Sequence, residues 1–158
     1  MSLDNNLDNL VSPCREKAKI VKDIVDDTYA NIAPFEVTRT ISRQKYLMAN
    51  TKSTRVSDPR ASYHVKKKAV DWVFLDKKWQ PKRSWDYNYL QKIGRMCWMT
   101  GIYNKKRQLI ESCHLQDDWR SIEKVMKDNS AAWEKASPAD RKLLSLVNWK
   151  FREILPKK

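Results

Sequence analysis

Residues 69–75 read Ala-Val-Asp-Trp-Val-Phe-Leu, and no other segment of the chain constrains the fold as strongly. The run is short, nearly continuous in hydrophobicity and rich in Val, Trp and Phe. That pattern marks a central β-strand rather than an edge strand. Asp71 interrupts it. A carboxylate within a buried strand is costly unless it is paired or bound to a metal ion. A fold for this chain must therefore build a sheet around 69–75 and give Asp71 a partner.

The 158 residues suit one compact domain, 1–158, with a real core. Hydrophobic residues make up 41% and charged residues 32%, the balance of a soluble globular protein. No apolar run approaches the roughly 18 residues needed to span a bilayer. Residues 1–10 are polar and acidic and lack the basic-then-apolar pattern of a secretory signal, so synthesis in the cytosol is expected. Cys14, Cys97 and Cys113 show no paired spacing, which argues against a disulfide framework or a structural zinc knuckle. Having only two glycines argues against a phosphate-cradling loop as well.

Other elements follow from periodicity and end signals. Ser12-Pro13 reads as a helix start, and Ala18, Val21, Val25 and Ile32 carry an apolar stripe to about Pro34. Residues 35–38 are strand-like, 41–49 a short helix, and 50–62 a long polar loop of the kind that often serves function. Ser84 is placed to cap a helix from Trp85 to about Thr100, with Gly101 ending it. Residues 109–115 read as a second strand. Helices are expected at about 118–127 and, capped by Ser137 with Pro138 at its first position, to about Leu155. The fold class is α+β: a small, mainly antiparallel sheet with packed helices, a core over 12–116 and a helical C-terminal extension over 117–158.

The formal net charge is +13, unevenly spread. Between Thr38 and Lys68 lie nine basic residues (Arg39, Arg43, Lys45, Lys52, Arg55, Arg60, Lys66, Lys67 and Lys68) and one acid, Asp58. Such a surface concentrates anionic polymers, whether nucleic acid, anionic lipid or a bacterial wall rich in phosphate and carboxylate. Charge alone does not choose among them.

Both histidines of the chain, His64 and His114, have acidic company at definite spacing. His64 precedes Asp71 by seven residues; Glu111 precedes His114 by three. Two imidazoles and a carboxylate are the donor set of an open catalytic zinc, beside which a glutamate can act as base. On regular strands His64 and Asp71 would face apart, as would Glu111 and His114. The chain must bend near Lys66-Lys67-Lys68, and 111–114 must hold a bulge or turn. The bland alternative is two ordinary histidines and a salt-bridged core acid.

These residues resemble the M15 peptidases, the zinc D-Ala-D-Ala carboxypeptidases and phage L-alanyl-D-glutamate endolysins that share the Hedgehog/D,D-peptidase fold. The family pattern SxHxxGxAxD is met by Ser62, His64, Ala69 and Asp71, with Lys67 in place of the glycine. An acid three residues before a histidine is met by Glu111 and His114, with Cys113 where a proline is common. Arg39, Gln44, Leu47 and Ala49 fit the upstream spacing of endolysin-type members, and Gln116 matches the trailing glutamine. Residues 103–108 (YNKKRQ) stand where many endolysins carry a Trp- and Gly-rich loop. The resemblance covers about residues 12–116.

It implies a zinc ion on His64, Asp71 and His114, with Glu111 as base. Arg39 would bind substrate or steady the developing oxyanion. Gln44, Ser62 and Gln116 would line the substrate site. The implied substrate is the stem peptide of bacterial peptidoglycan, favouring an L-Ala-D-Glu endopeptidase that works as a monomer. Anionic wall polymers then become the expected partner of the basic surface, ahead of nucleic acid. A lysin reaching the wall after release, or carried in a virion, fits the missing signal. Two rivals stand: a D-Ala-D-Ala carboxypeptidase of the same fold, and a basic nucleic-acid-binding or virion protein with a decayed metal site. Cys113 is read as a packed thiol rather than a ligand, and Trp72 and Trp98 as core. Trp79 and Trp85 lie in a polar loop that could touch glycan.

Overall fold

A computed structural model of the chain describes residues 3–51, 56–78 and 87–157. One antiparallel sheet runs in the order β1-β2-β4-β3, with β1 Ile32–Glu36, β2 Ala69–Phe74, β3 Met99–Tyr103 and β4 Leu109–Asp117. β2 lies inside the sheet, as its hydrophobicity requires. Its side chains alternate. Val70, Trp72 and Phe74 are buried in the core, while Asp71 and Val73 take the other face and are partly buried. Asp71 thus interrupts the sequence of the strand without entering the hydrophobic core.

Among the described residues five α-helices complete the α+β fold: α1 Cys14–Thr28, α2 Ile41–Asn50, α3 Asn88–Met96, α4 Ile122–Trp133 and α5 Pro138–Ile154. α1 packs on α3 and α5, and α4 on α5. Val21, Ile24 and Val25 of α1 are fully buried, each worth roughly 1.5–3 kcal/mol of apolar transfer. Ile122, Val125, Val147 and Phe151 join the same hydrophobic cluster as Trp72, so the last two helices share the core of the sheet. No helix among the described residues is long and apolar enough to cross a membrane.

Several boundaries differ from the sequence expectation. α1 ends at Thr28 rather than near Pro34, because the Ile32 amide bonds the Asp26 carboxylate at 2.8 Å and Ile32 then pairs with Phe74. Pro13, not Ser12, occupies the cap position, without a side-chain hydrogen bond. The expected helix over 85–100 stops at Met96, and the expected stop at Gly101 is a residue of β3. Trp98, with φ of 52°, makes the turn instead. Space is tight at Gly101: a Cβ there would lie 2.6 Å from both Gln91 Oε1 and Leu109 Cδ1, so those side chains would have to shift. The proposed cap Ser84, like Trp79 and Trp85, lies outside the described residues. α5 begins as expected, its Ser137 hydroxyl accepting from the Asp140 amide.

Three buried polar or titratable side chains belong to the frame. Lys17 of α1 is fully buried, and its ammonium meets Asp117 at the end of β4 at 2.6 Å and Asp118 at 3.5 Å. The Cys14 and Cys97 thiols are buried among apolar residues, and burial pushes both well above their ordinary value, Cys14 to about 12.

The bend expected at 66–68 is a turn over 62–68. The Lys66, Lys67 and Lys68 amides donate to the carbonyls of Ser62, His64 and Tyr63. Lys67 has φ of 60°, the left-handed region that glycine enters freely and other residues enter at a cost. We expect Lys67→Val to lower stability by about 1–2 kcal/mol, since a β-branched side chain fits this region worst, while Lys67→Gly leaves it unchanged or raised. Urea midpoints decide: equal losses in both variants would count against the turn as described.

Candidate metal centre

One transverse row of the sheet builds the site. Glu36 of β1 is paired with Asp71 of β2, which is paired with His114 of β4. His64, on the turn before β2, swings over the same row. Its Nε2 lies 3.3 Å from Asp71 Oδ2, and His114 Nδ1 lies 2.9 Å from Asp71 Oδ1. The two imidazoles meet edge to face, centroids 5.1 Å apart. Each of the three residues offers a donor atom within 4.8 Å of the others. For comparison, donors on a tetrahedral ion with bonds of about 2.0–2.1 Å are separated by roughly 3.3 Å.

The protons favour a cation here. His64 Nδ1 is 3.0 Å from the Val37 carbonyl, which can only accept, so this nitrogen carries the hydrogen. In a neutral ring Nε2 then presents a lone pair to the Asp71 carboxylate, acceptor against acceptor. His114 lies between Asp71 on Nδ1, at 2.9 Å, and the Gln116 side-chain amide on Nε2, at 3.0 Å. A metal ion between His64 Nε2 and the Asp71 carboxylate would relieve that contact of two acceptors, and two imidazoles with a carboxylate fit a divalent metal ion. Burial alone would raise the Asp71 carboxyl. The hydrogen bonds from His114 and His64 outweigh it and hold the group well below the usual carboxylate range.

Around this centre lies a cavity of about 250 Å³. Arg39, Gln44, Ser62, Glu111 and Gln116 all line it together with His64, Asp71 and His114. Glu111 reaches it because β4 bulges. Between the Thr100–Gln116 and Ile102–Glu111 pairs β3 advances two residues and β4 five. Gln91 of α3 replaces the missing sheet partners there, its side-chain amide donating to the Ser112 and His114 carbonyls at 2.8 and 3.1 Å. Arg39 is held from two sides. It donates to Gln44 Oε1 at 2.7 Å and to Glu36, and lies 3.9 Å from Asp71. Its Nε is buried without a partner among the described residues.

No protein-family model matches the chain, and no curated protein matches it in sequence. Solved structures do. The vancomycin-resistance D,D-dipeptidase VanXYg, in complex with a D-Ala-D-Ala phosphinate analogue, superposes with a TM-score of 0.52 at 16% identity, over 77% of this chain and 55% of that one. The LD-carboxypeptidase LdcB superposes with a TM-score of 0.52 at 17% identity, over 82% and 70%. This chain has the D,D-peptidase-like fold. It is also similar to the L-Ala D-Glu endopeptidase ChiX of Serratia marcescens, at a TM-score of 0.48 and 17% identity over 73% and 85%. The chain spans little more than half the length of the dipeptidase, and at these identities the likeness is one of fold. At that level it agrees with the resemblance read from the sequence.

Within the D,D-peptidase-like fold two contributors escaped the sequence reading. Glu36 is 3% exposed and binds both Arg39 and Arg43, the latter at 2.7 Å. Its spacing of three and seven from those arginines was the available signal. Gln91 carried none, since its work lies in carbonyls distant in sequence. Burial would raise the Glu36 carboxyl, but hydrogen bonds from Arg39 and Arg43 bring it below its ordinary 4.5. A carboxylate held low in the fold stabilises fully above its ordinary value and loses that contribution as pH falls through the lower folded value. Glu36→Gln should therefore cost about 2–4 kcal/mol near pH 7, by leaving two guanidiniums without their acid. It should also lose less additional stability than wild type between about pH 5 and pH 3. Denaturant midpoints at the three pH values test this; identical acid sensitivity would exclude it.

Proposed function

We propose that the chain is a zinc-dependent peptidase that cleaves the stem peptide of bacterial peptidoglycan, in the manner of an endolysin-type L-Ala-D-Glu endopeptidase. One observation carries the reading: His64, Asp71 and His114 converge beside Glu111 and Arg39 in a single cavity of a D,D-peptidase-like fold. The spacing of Arg39, Gln44, Leu47 and Ala49 supports the endopeptidase type through its resemblance to endolysin sequences.

His64, Asp71 and His114 would hold the metal, leaving a position open to substrate and water. Zinc supplies Lewis acidity there, polarising a carbonyl and acidifying water. Glu111 takes a proton from the attacking water and returns it to the leaving amine. Arg39, fixed by Glu36 and Gln44 before substrate arrives, offers a preorganised positive charge to the developing oxyanion. The Val37 carbonyl keeps His64 in one tautomer, with Nε2 free to ligate.

A second reading has its own support. Arg39 and Arg43 both pair with Glu36 and both line the cavity, and two guanidiniums on one wall suit the terminal carboxylate of a D-Ala-D-Ala carboxypeptidase substrate. The product separates the two: a peptide fragment from the first, free D-Ala from the second.

Purified protein should contain about one zinc per chain and lyse permeabilised Gram-negative cells. His114→Ala should lose both properties. Glu111→Gln should keep the metal while cleavage falls by about 10²–10⁴-fold, and chelation should abolish lysis reversibly. Absence of both zinc and lysis after zinc is supplied, with salt-sensitive DNA binding instead, would replace the peptidase by a nucleic-acid-binding protein.

A further inference from the structure

The three residues of the metal centre are not held alike. Asp71 and His114 sit in paired strands, where the sheet fixes their backbones. His64 lies on the turn before β2, and Val37, whose carbonyl holds its Nδ1 hydrogen, lies just past the end of β1. Neither is fixed by strand pairing. A side chain on a turn needs support from elsewhere to stand ready for a ligand, because ordering it at the moment of binding costs affinity.

Residues 3–11 supply that support from two sides. The Val37 amide donates to the Asp4 carbonyl at 2.7 Å, and the Thr38 hydroxyl donates to the Asp4 carboxylate. Val37 is thus bonded at both of its backbone groups, to Asp4 on one and to the His64 ring on the other. At the far end of the segment the Val11 amide donates to the Lys67 carbonyl at 3.1 Å. The Lys67 amide in turn donates to the His64 carbonyl, also at 3.1 Å, within the turn that carries the ring. The segment therefore joins the two pieces of chain that hold His64, one through its imidazole and one through its backbone.

The segment has its own anchors. Leu7 and Leu10 are buried in the hydrophobic cluster that contains Trp72. Asp8 pairs with Lys19 of α1 at 2.5 Å. Asp4 also accepts from the Asn6 amide and from the Asn9 side-chain amide, each at 3.0 Å. One carboxylate thus links the anchored turn at Leu7–Asn9 to the loop at Val37 and Thr38. Asp4 does not line the cavity, so its influence on the site runs through that loop.

We propose that residues 3–11 brace His64 in position beside the sheet-held Asp71 and His114, with Asp4 as a positioning residue of the metal centre. The hold on the ring is independent of any metal. Its consequence, tighter zinc binding, rests on the zinc reading above.

Two readouts test the brace, neither of them turnover. One is exchange of the His64 Nδ1 proton with water in zinc-free protein, followed by nuclear magnetic resonance. The other is zinc affinity, from competition with a chromophoric chelator. Asp4→Ala should speed the exchange and weaken zinc binding, each about tenfold, the low end of the loss expected when the outer support of a ligand is removed. Asp4→Asn should restore most of both, since its amide can accept from Asn6 and Asn9 and donate to the Thr38 hydroxyl. Val125→Ala, at a fully buried position of α4, is the comparison. It should lower the thermal midpoint yet leave both readouts within about twofold of the parent. Parental proton exchange in folded Asp4→Ala would overturn the brace. An equal loss in Val125→Ala would do the same, by making the effect one of general stability. A parent that takes up no zinc overturns the zinc reading instead, and proton exchange then decides the brace alone.

Discussion

Asp71 sits between two imidazoles on the open face of a central strand, and much of the surrounding architecture serves to make that tolerable. The strand itself is stabilised by Val70, Trp72 and Phe74 on its other side. Neighbouring strands place Glu36 and His114 in register with the acid, and the turn at Lys67 brings His64 over it. Two carboxylates adjacent in one sheet row would repel. Each is therefore given its own partners: the two arginines for Glu36, and the two imidazoles, with Arg39 at 3.9 Å, for Asp71. α2 contributes through Arg43 and Gln44 to this charge balance rather than to the apolar core, which explains why Gln44 is its one buried residue.

The separation of the two faces also governs where substitutions are felt. Changes on the core side, at Trp72 or Phe151, remove packing shared by the sheet and the last two helices. Changes on the open side alter charge balance with little apolar loss. Gln91 belongs to both sides. It is anchored in a core helix but bonds the carbonyls of the bulge that aims Glu111, so the seating of α3 and the geometry of the site are coupled through one amide.

What could be read in advance divides along physical lines. The strand at 69–75 was legible because burial cost acts through residue type alone, whereas the grouping of His64, Asp71, Glu111 and His114, which line one cavity, was carried by the resemblance to the M15 pattern. The bend at Lys67 was legible because two side chains that must meet cannot do so along a straight strand. β3 was missed. Met99 to Tyr103 continues an apolar pattern that a helix from 85 would also satisfy, and the turn between them is made by Trp98, which gives no local signal. Gly101 was misread as a helix stop, because the close approach of Gln91 and Leu109 is set by tertiary packing. Lys17 was passed over for the same reason: its acids lie a hundred residues away.

The buried thiols carry one last consequence. Burial pushes Cys14 and Cys113 up to about 12, and Cys97 higher still. Only the thiolate reacts readily with oxidants and disulfides. At neutral pH these sulfurs are almost wholly protonated, and two of the three have no contact with water. The three cysteines therefore offer little thiolate for oxidants or disulfides to attack, and none of them is paired.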